Sequence, residues 1–119
     1  MTHAQGAVAE ARAQTFLEAR GMTCLSRNFR CSVGELDLVM RAPDGLLVVV
    51  EVRHRGTDAR VSALESLTPA KLRRVMLAAE VYLQANPDCS DDPVRFDVVA
   101  ITGDPRDGAL DWLPDAFRP

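Results

Sequence analysis

The sequence predicts an α/β layer fold, a mixed central sheet flanked by helices, and three observations predict it. Residues 69 to 83 carry apolar side chains at helical spacing between Thr68-Pro69 and Asn86-Pro87. The unbroken run Leu46-Leu47-Val48-Val49-Val50 reads as a strand buried on both faces, hence a central one. The order of elements is helix, three strands, helix, strand, which separates the strands by a long helix as layered α/β folds do.

Residues 5 to 20 read as the first helix: alanine-rich, with Val8, Ala11, Phe16 and Leu17 apolar and Gly21 as a stop. Met22 to Asn28 alternates loosely and gives a first strand. Arg27 to Ser32 then reads as a polar connection. Glu35 to Arg41 is a second strand, with Leu36, Leu38 and Met40 expected on one face. Ala42-Pro43-Asp44-Gly45 is a turn, because Pro43 presets its φ and Gly45 can take positive φ. Leu46 to Arg55 is the third strand and residues 56 to 67 a polar loop. Thr68 caps the second helix with Pro69 at its first position, and Leu72, Val75, Met76, Ala79 and Leu83 form its apolar stripe. Arg95 to Thr102 is a fourth strand. The tail, residues 103 to 119, holds turn signals and one short edge strand. The 119 residues make one domain, with a core over about 5–102.

Composition narrows the classes. Hydrophobic residues make up 47% and charged residues 26%, so the chain is globular. Net charge is −3, which argues against a strongly basic nucleic-acid footprint but leaves local patches open. Lys71 is the only lysine among 14 basic residues, and arginine offers fixed bidentate donors to phosphate or carboxylate. Three cysteines, Cys24, Cys31 and Cys89, include no C-x-x-C pair, as expected for thiols in a reducing cytoplasm. The N-terminus lacks the basic and apolar regions of a signal peptide, and no apolar run reaches the roughly 18 residues of a membrane span. A cytoplasmic protein without membrane association is expected.

The turn sets a register with chemical consequences. A three-residue hairpin loop, Pro43 to Gly45, puts Ala42 opposite Leu46. Asp37 then falls opposite Glu51, and Glu35 opposite Arg53, with Cβ atoms about 4.5–5.5 Å apart. Facing carboxylates repel unless compensated. Spacing leaves two readings open. A divalent cation sits between the carboxylates, or the face is solvated and laced by Glu35–Arg53 and Asp37–Arg55 ion pairs. The central position of Glu51, directly after the valine run, adds weight to the first.

A set of motifs adds to this reading. Gly6-x-x-x-Glu10, Asn28-Phe29-Arg30, Gly34-Glu35-Leu36-Asp37-Leu38-Val39, Val50-Glu51-Val52-Arg53-His54-Arg55, Thr68-Pro69-x-Lys71-x-x-Arg74 and Arg95-Phe96-Asp97-Val98-Val99 span about residues 5 to 102. Together they resemble the YraN family, small bacterial proteins of uncharacterised function. The resemblance implies a restriction-endonuclease-like fold similar to archaeal Holliday-junction resolvases. It implies that Glu10, Asp37 and Glu51 hold Mg²⁺ or Mn²⁺ and help position an attacking water on a DNA phosphodiester, with branched DNA among the substrates and a homodimer as working unit. Arg53 stands where the nuclease E-x-K element has lysine. Arginine stays charged, so Arg53 can stabilise negative charge but cannot act as a base. This departure supports an alternative, a non-catalytic nucleic-acid- or protein-binding module on the same scaffold.

Other residues are candidates for the surround. Arg30, Arg55, Lys71 and Arg74, with Arg27, Arg60 and Arg73, are candidates for a phosphate-binding rim. Glu35 is either an accessory ligand or the partner of Arg53. His54 faces away from Glu51 and reads as structural, as does Asp97 among its apolar neighbours.

Overall fold

The computed structural model describes residues 3–56 and 65–119. Helix α1 (His3–Glu18) leads into β1 (Thr23–Cys31), β2 (Gly34–Arg41) and β3 (Leu47–Arg55). Helix α2 (Pro69–Ala85) and a 3₁₀ turn (Pro87–Cys89) precede β4 (Val94–Thr102) and β5 (Ala109–Phe117). The five strands lie in sequence order in one sheet. The β3–β4 pair is parallel and the others antiparallel, so β3 is central and the sheet mixed. No helix among the described residues is long and apolar enough to cross a membrane.

Among the described residues, one helix covers each face. Leu38, Met40, Val48, Val50, Val52, Val99 and Ile101 pack with Ala9, Ala13 and Leu17 of α1. On the other face Leu36, Val39, Leu47, Val49 and Phe96 pack with Val75, Ala78, Ala79 and Tyr82 of α2. The buried row of α1 is thus Ala9-Ala13-Leu17, four residues apart, whereas Ala11 and Val8 of the expected stripe are exposed. Two alanines in one row let α1 lie close against β3. Helix α2 begins as its sequence suggests, with Thr68 Oγ1 accepting from Lys71 N at 3.3 Å and Pro69 in the first turn.

Three expectations need correction. Strand β1 runs on to Cys31 instead of ending at Asn28, because Phe29 packs edge-on against Tyr82, with ring centroids 5.2 Å apart. Leu36 does not share a face with Leu38 and Met40: it lies on the α2 side and they lie on the α1 side. The switch falls at Asp37, beside Asn28, whose φ of 54° breaks the regular alternation of β1. The tail forms a nine-residue strand, β5. Fully buried Asp97 accepts from Trp112 Nε1 (3.0 Å) and Asp115 N (2.9 Å) and pairs with Arg95. Phe117 stacks on Phe96 at 5.1 Å.

Candidate active site at a strand fork

The expected hairpin register is present. Arg41 pairs with Leu47, Met40 with Val48, Val39 with Val49 and Leu38 with Val50. Gly45 has φ of 91°, and Ala42 N donates to Leu46 O at 2.9 Å. The β2–β3 ladder then stops at Leu38–Val50. Beyond it, the Asp37 side chain replaces a backbone acceptor: Oδ2 takes the Val52 N–H at 2.8 Å. The rest of β2 stays with β1, where Glu35 pairs with Arg30 and Gly34 with Cys31. The rest of β3 stays with β4. The two strands fork.

A cleft of about 600 Å³ opens at the fork. Glu51 and Arg53 of β3 line it, with Glu35 and Arg30 on the β1–β2 side and Lys71 and Arg74 on α2. The β1–β2 turn is pressed against α2, since a Cβ on Gly34 would lie 2.8 Å from the Arg74 carbonyl oxygen. That contact fixes how far the cationic first turns of α2 stand from Glu51.

The carboxylates are electrostatically unusual. Glu51 is 7% exposed, and among the described residues its Oε1 has no hydrogen-bond partner. Burial pushes the Glu51 carboxyl well above the usual carboxylate range, and the neighbouring Asp37 charge pushes it further, against the pull of Arg53. Asp37 is raised to about 6, chiefly by burial, with Glu10 and Glu35 adding to the rise and the Val52 amide and Arg53 opposing it. Glu10, half-buried on α1, is therefore near enough for its charge to act on Asp37. Neither Glu10 nor Asp37 is part of the cleft lining, where Glu51 stands with Glu35, and among the described residues no three His, Cys, Asp or Glu side chains gather into a ready metal cluster.

The chemistry of the donors nonetheless fits a hard dication. The carboxyls of buried Glu51 and half-buried Asp37 are both raised, Glu51 in part by the Asp37 charge, and among the described residues one Glu51 oxygen lacks a donor. Mg²⁺ commonly uses one or two carboxylates and completes its shell with waters and substrate phosphate. Asp37 and Glu51 would hold it.

The expected ion pairs are rearranged. Glu35 pairs with Arg30 at 3.4 Å, both exposed, instead of with Arg53. The ladder has ended before the Glu35–Arg53 position, so those strands no longer face each other. Arg53 Nε and Nη2 donate to Ser66 Oγ at 3.2 and 2.8 Å. Of the rim candidates, Arg30, Lys71 and Arg74 line the cleft. Arg55 does not, and its Nη1 donates to the His54 carbonyl at 3.0 Å. Arg27 and Arg73 are exposed outside the cleft, and Arg60 lies outside the described residues. His54 hydrogen-bonds the Gly103 carbonyl at 2.6 Å. Sequence reasoning missed Ser66, which sits in a polar stretch with no periodicity or motif to mark it. The packing of Gly34 was equally hidden, although a glycine opening a strand is a recognised sign of close backbone approach.

Fold and site together define a small mixed α/β domain with an acidic pair at a strand fork, of which buried Glu51 faces a cleft rich in cationic side chains. The model of the uncharacterised protein family UPF0102 matches residues 9–101, and the chain belongs to that family, the grouping its motifs resemble. It is 51% identical over 116 residues to a UPF0102 protein of Cupriavidus pinatubonensis, spanning 98% of this chain and 87% of that one. A UPF0102 protein of Cupriavidus necator is also 51% identical, over 98% of this chain and 84% of its own. One from Nitrosococcus oceani is 42% identical over 96% and 91%. Among solved structures, EndoMS in complex with double-stranded DNA is similar at 18% identity and a TM-score of 0.33. That likeness spans 71% of this chain and 33% of the other; it is too distant to transfer topology or ligand.

Proposed function

We propose that the fork is the site of a divalent-metal-dependent endonuclease acting on DNA phosphodiesters, with structured or branched DNA as the substrate class. The observation that carries this reading is buried Glu51, whose Oε1 lacks a donor among the described residues, with half-buried Asp37 close behind it, on a cleft that Glu51 lines together with Arg53, Lys71, Arg74 and Arg30. Buried like charges are costly to keep without a compensating cation, and a cationic rim beside them suits a phosphate. Asp37 and Glu51 bind the ion, and Glu10 tunes Asp37 from the α1 side. A bound Mg²⁺ or Mn²⁺ would supply Lewis acidity toward the phosphate and acidify a water. Arg53 stabilises the negative charge that grows on the phosphate, and Lys71, Arg74 and Arg30 hold the flanking backbone. The three free thiols suit a reducing cytoplasm. Paired symmetric cuts on a branched substrate would call for a homodimer.

Calorimetry or thermal shift with Mn²⁺ tests the metal site: wild type responds, and Asp37→Asn and Glu51→Gln do not. Equal responses from all three proteins overturn it. Incubation with linear, flapped and four-way DNA in Mn²⁺ tests the activity. A second reading, a non-catalytic DNA-binding module, is favoured by arginine at position 53. It predicts metal and DNA binding without cleavage. An Arg53→Lys variant that gains cleavage would show that arginine at this position limits activity.

A further inference from the structure

Arg53 is held in an uncommon way. Nε and Nη2, two of the three guanidinium nitrogens, both converge on one neutral oxygen, Ser66 Oγ, at 3.2 and 2.8 Å. That edge of the guanidinium ordinarily grips a carboxylate in bidentate fashion. A carboxylate there would hold the side chain more tightly, but it would also cancel the positive charge. A hydroxyl orients the group and leaves the charge intact. Nη1, with two N–H donors, is not used by the Ser66 contact. Ser66 stands two residues before the Thr68 cap of α2, next to Leu67, which lines the same cleft as Arg53. The serine is thus anchored to the element that carries Lys71 and Arg74.

We infer that Ser66 is a positioning residue, which fixes the Arg53 guanidinium at the cleft for a phosphate oxygen without adding a counter-charge of its own. This rests on the nuclease-like reading of the cleft and adds a residue that reading does not contain. Preorganisation of this kind matters because a long side chain otherwise gives up rotamer freedom when it binds an anion. Ser66 removes that cost in advance. Substitution by alanine frees Arg53, aspartate holds it but neutralises it, and threonine keeps both hydroxyl and charge.

The experiment has two arms. In the first, the Arg53 Nε–Hε signal is followed by ¹⁵N NMR without DNA. It is protected from solvent exchange in wild type and in Ser66→Thr, and loses protection in Ser66→Ala. In the second, affinity for a short DNA duplex is measured by fluorescence anisotropy. Ser66→Ala weakens it about tenfold, the size expected for losing a charged hydrogen bond, and Ser66→Thr recovers most of the loss. Ser66→Asp lowers the salt slope by about one phosphate contact. In an Arg53→Gln background, Ser66→Ala has no further effect, which a merely structural serine would not produce. Additive losses, or unchanged affinity in Ser66→Ala, overturn the inference and leave the DNA reading standing. Wild type that binds no DNA overturns the DNA reading, and the NMR arm then upholds or overturns the Ser66–Arg53 contact by itself.

Discussion

The electrostatics of Asp37 make the most demanding test of the fork. Its carboxyl is displaced from 3.8 to about 6 by burial and by the charges of Glu10 and Glu35, against the Val52 amide and Arg53. A carboxyl with a raised pKa holds its proton more tightly in the folded state than in the unfolded one. The stability it contributes is fully present below about pH 3.8 and is lost as pH rises through about 6. The displacement is about two pH units, and at about 1.4 kcal/mol each the loss is about 3 kcal/mol. Asp37→Asn removes the titration while keeping an oxygen for the Val52 N–H. In EDTA the variant should match wild type near pH 4. It should then gain on it steadily, reaching an advantage of about 3 kcal/mol near pH 8. Urea unfolding across that range gives the difference directly, provided the m-values of the two proteins agree. Saturating Mn²⁺ should reverse the order at high pH, stabilising wild type alone. A difference that stays flat with pH, or an asparagine variant less stable than wild type near pH 8 in EDTA, would refute the claim that this carboxylate is kept at a cost for a ligand.

Three further outcomes follow from named contacts. Gly34→Ala should lower stability by about 1–3 kcal/mol, read as a drop in Tm, because the new Cβ meets the Arg74 carbonyl oxygen at 2.8 Å. Asp97→Ala should cost about 3 kcal/mol or more in thermal or urea unfolding, since it strands Arg95 and the Trp112 N–H, yet leave the Mn²⁺ response of the fork in place. In DNA-binding titrations, Lys71→Ala and Arg74→Ala should each reduce the slope of log affinity against log salt by about one, whereas Arg73→Ala, outside the cleft, should not change it.

What could be read from the sequence was what local chemistry determines. Pro43-Asp44-Gly45 admits few hairpins, so its register, and with it the proximity of Asp37 to Glu51, follows from three residues. Thr68-Pro69 likewise marks the start of α2 through a single side-chain cap. What could not be read depends on partners distant in the chain. Period-two alternation assumes a ladder that continues through Asp37, and so places Leu36 on the wrong face and Glu35 beside Arg53. A ladder ends where a side chain outcompetes a backbone carbonyl for an amide, and nothing in the spacing announces that. Strand β5 depends in the same way on Asp97, some fifteen residues before the groups it binds. Ser66 has meaning only once Arg53 has reached it.

The fork also explains why the acidic pair is compatible with a stable sheet. In an unbroken β2–β3 ladder, Glu35 would lie across from Arg53 and the two would neutralise each other beside Glu51. By ending the ladder at Leu38–Val50, the chain sends Glu35 to Arg30 on the outer strand and Arg53 to a neutral hydroxyl. The Val52 N–H, which the departing strand would otherwise leave without an acceptor, is taken by Asp37 itself. Asp37 therefore closes the backbone hydrogen bonding at the fork, and under the proposed function it has a second task, offering its other oxygen to a metal ion. The tasks are separable. Asparagine preserves the first and removes the second, whereas alanine removes both. An Asp37→Ala variant should thus lose the Val52 hydrogen bond, about 1–3 kcal/mol for a buried donor left unmet, at every pH. If alanine and asparagine behave alike in EDTA, the Asp37–Val52 bond does not hold the fork together.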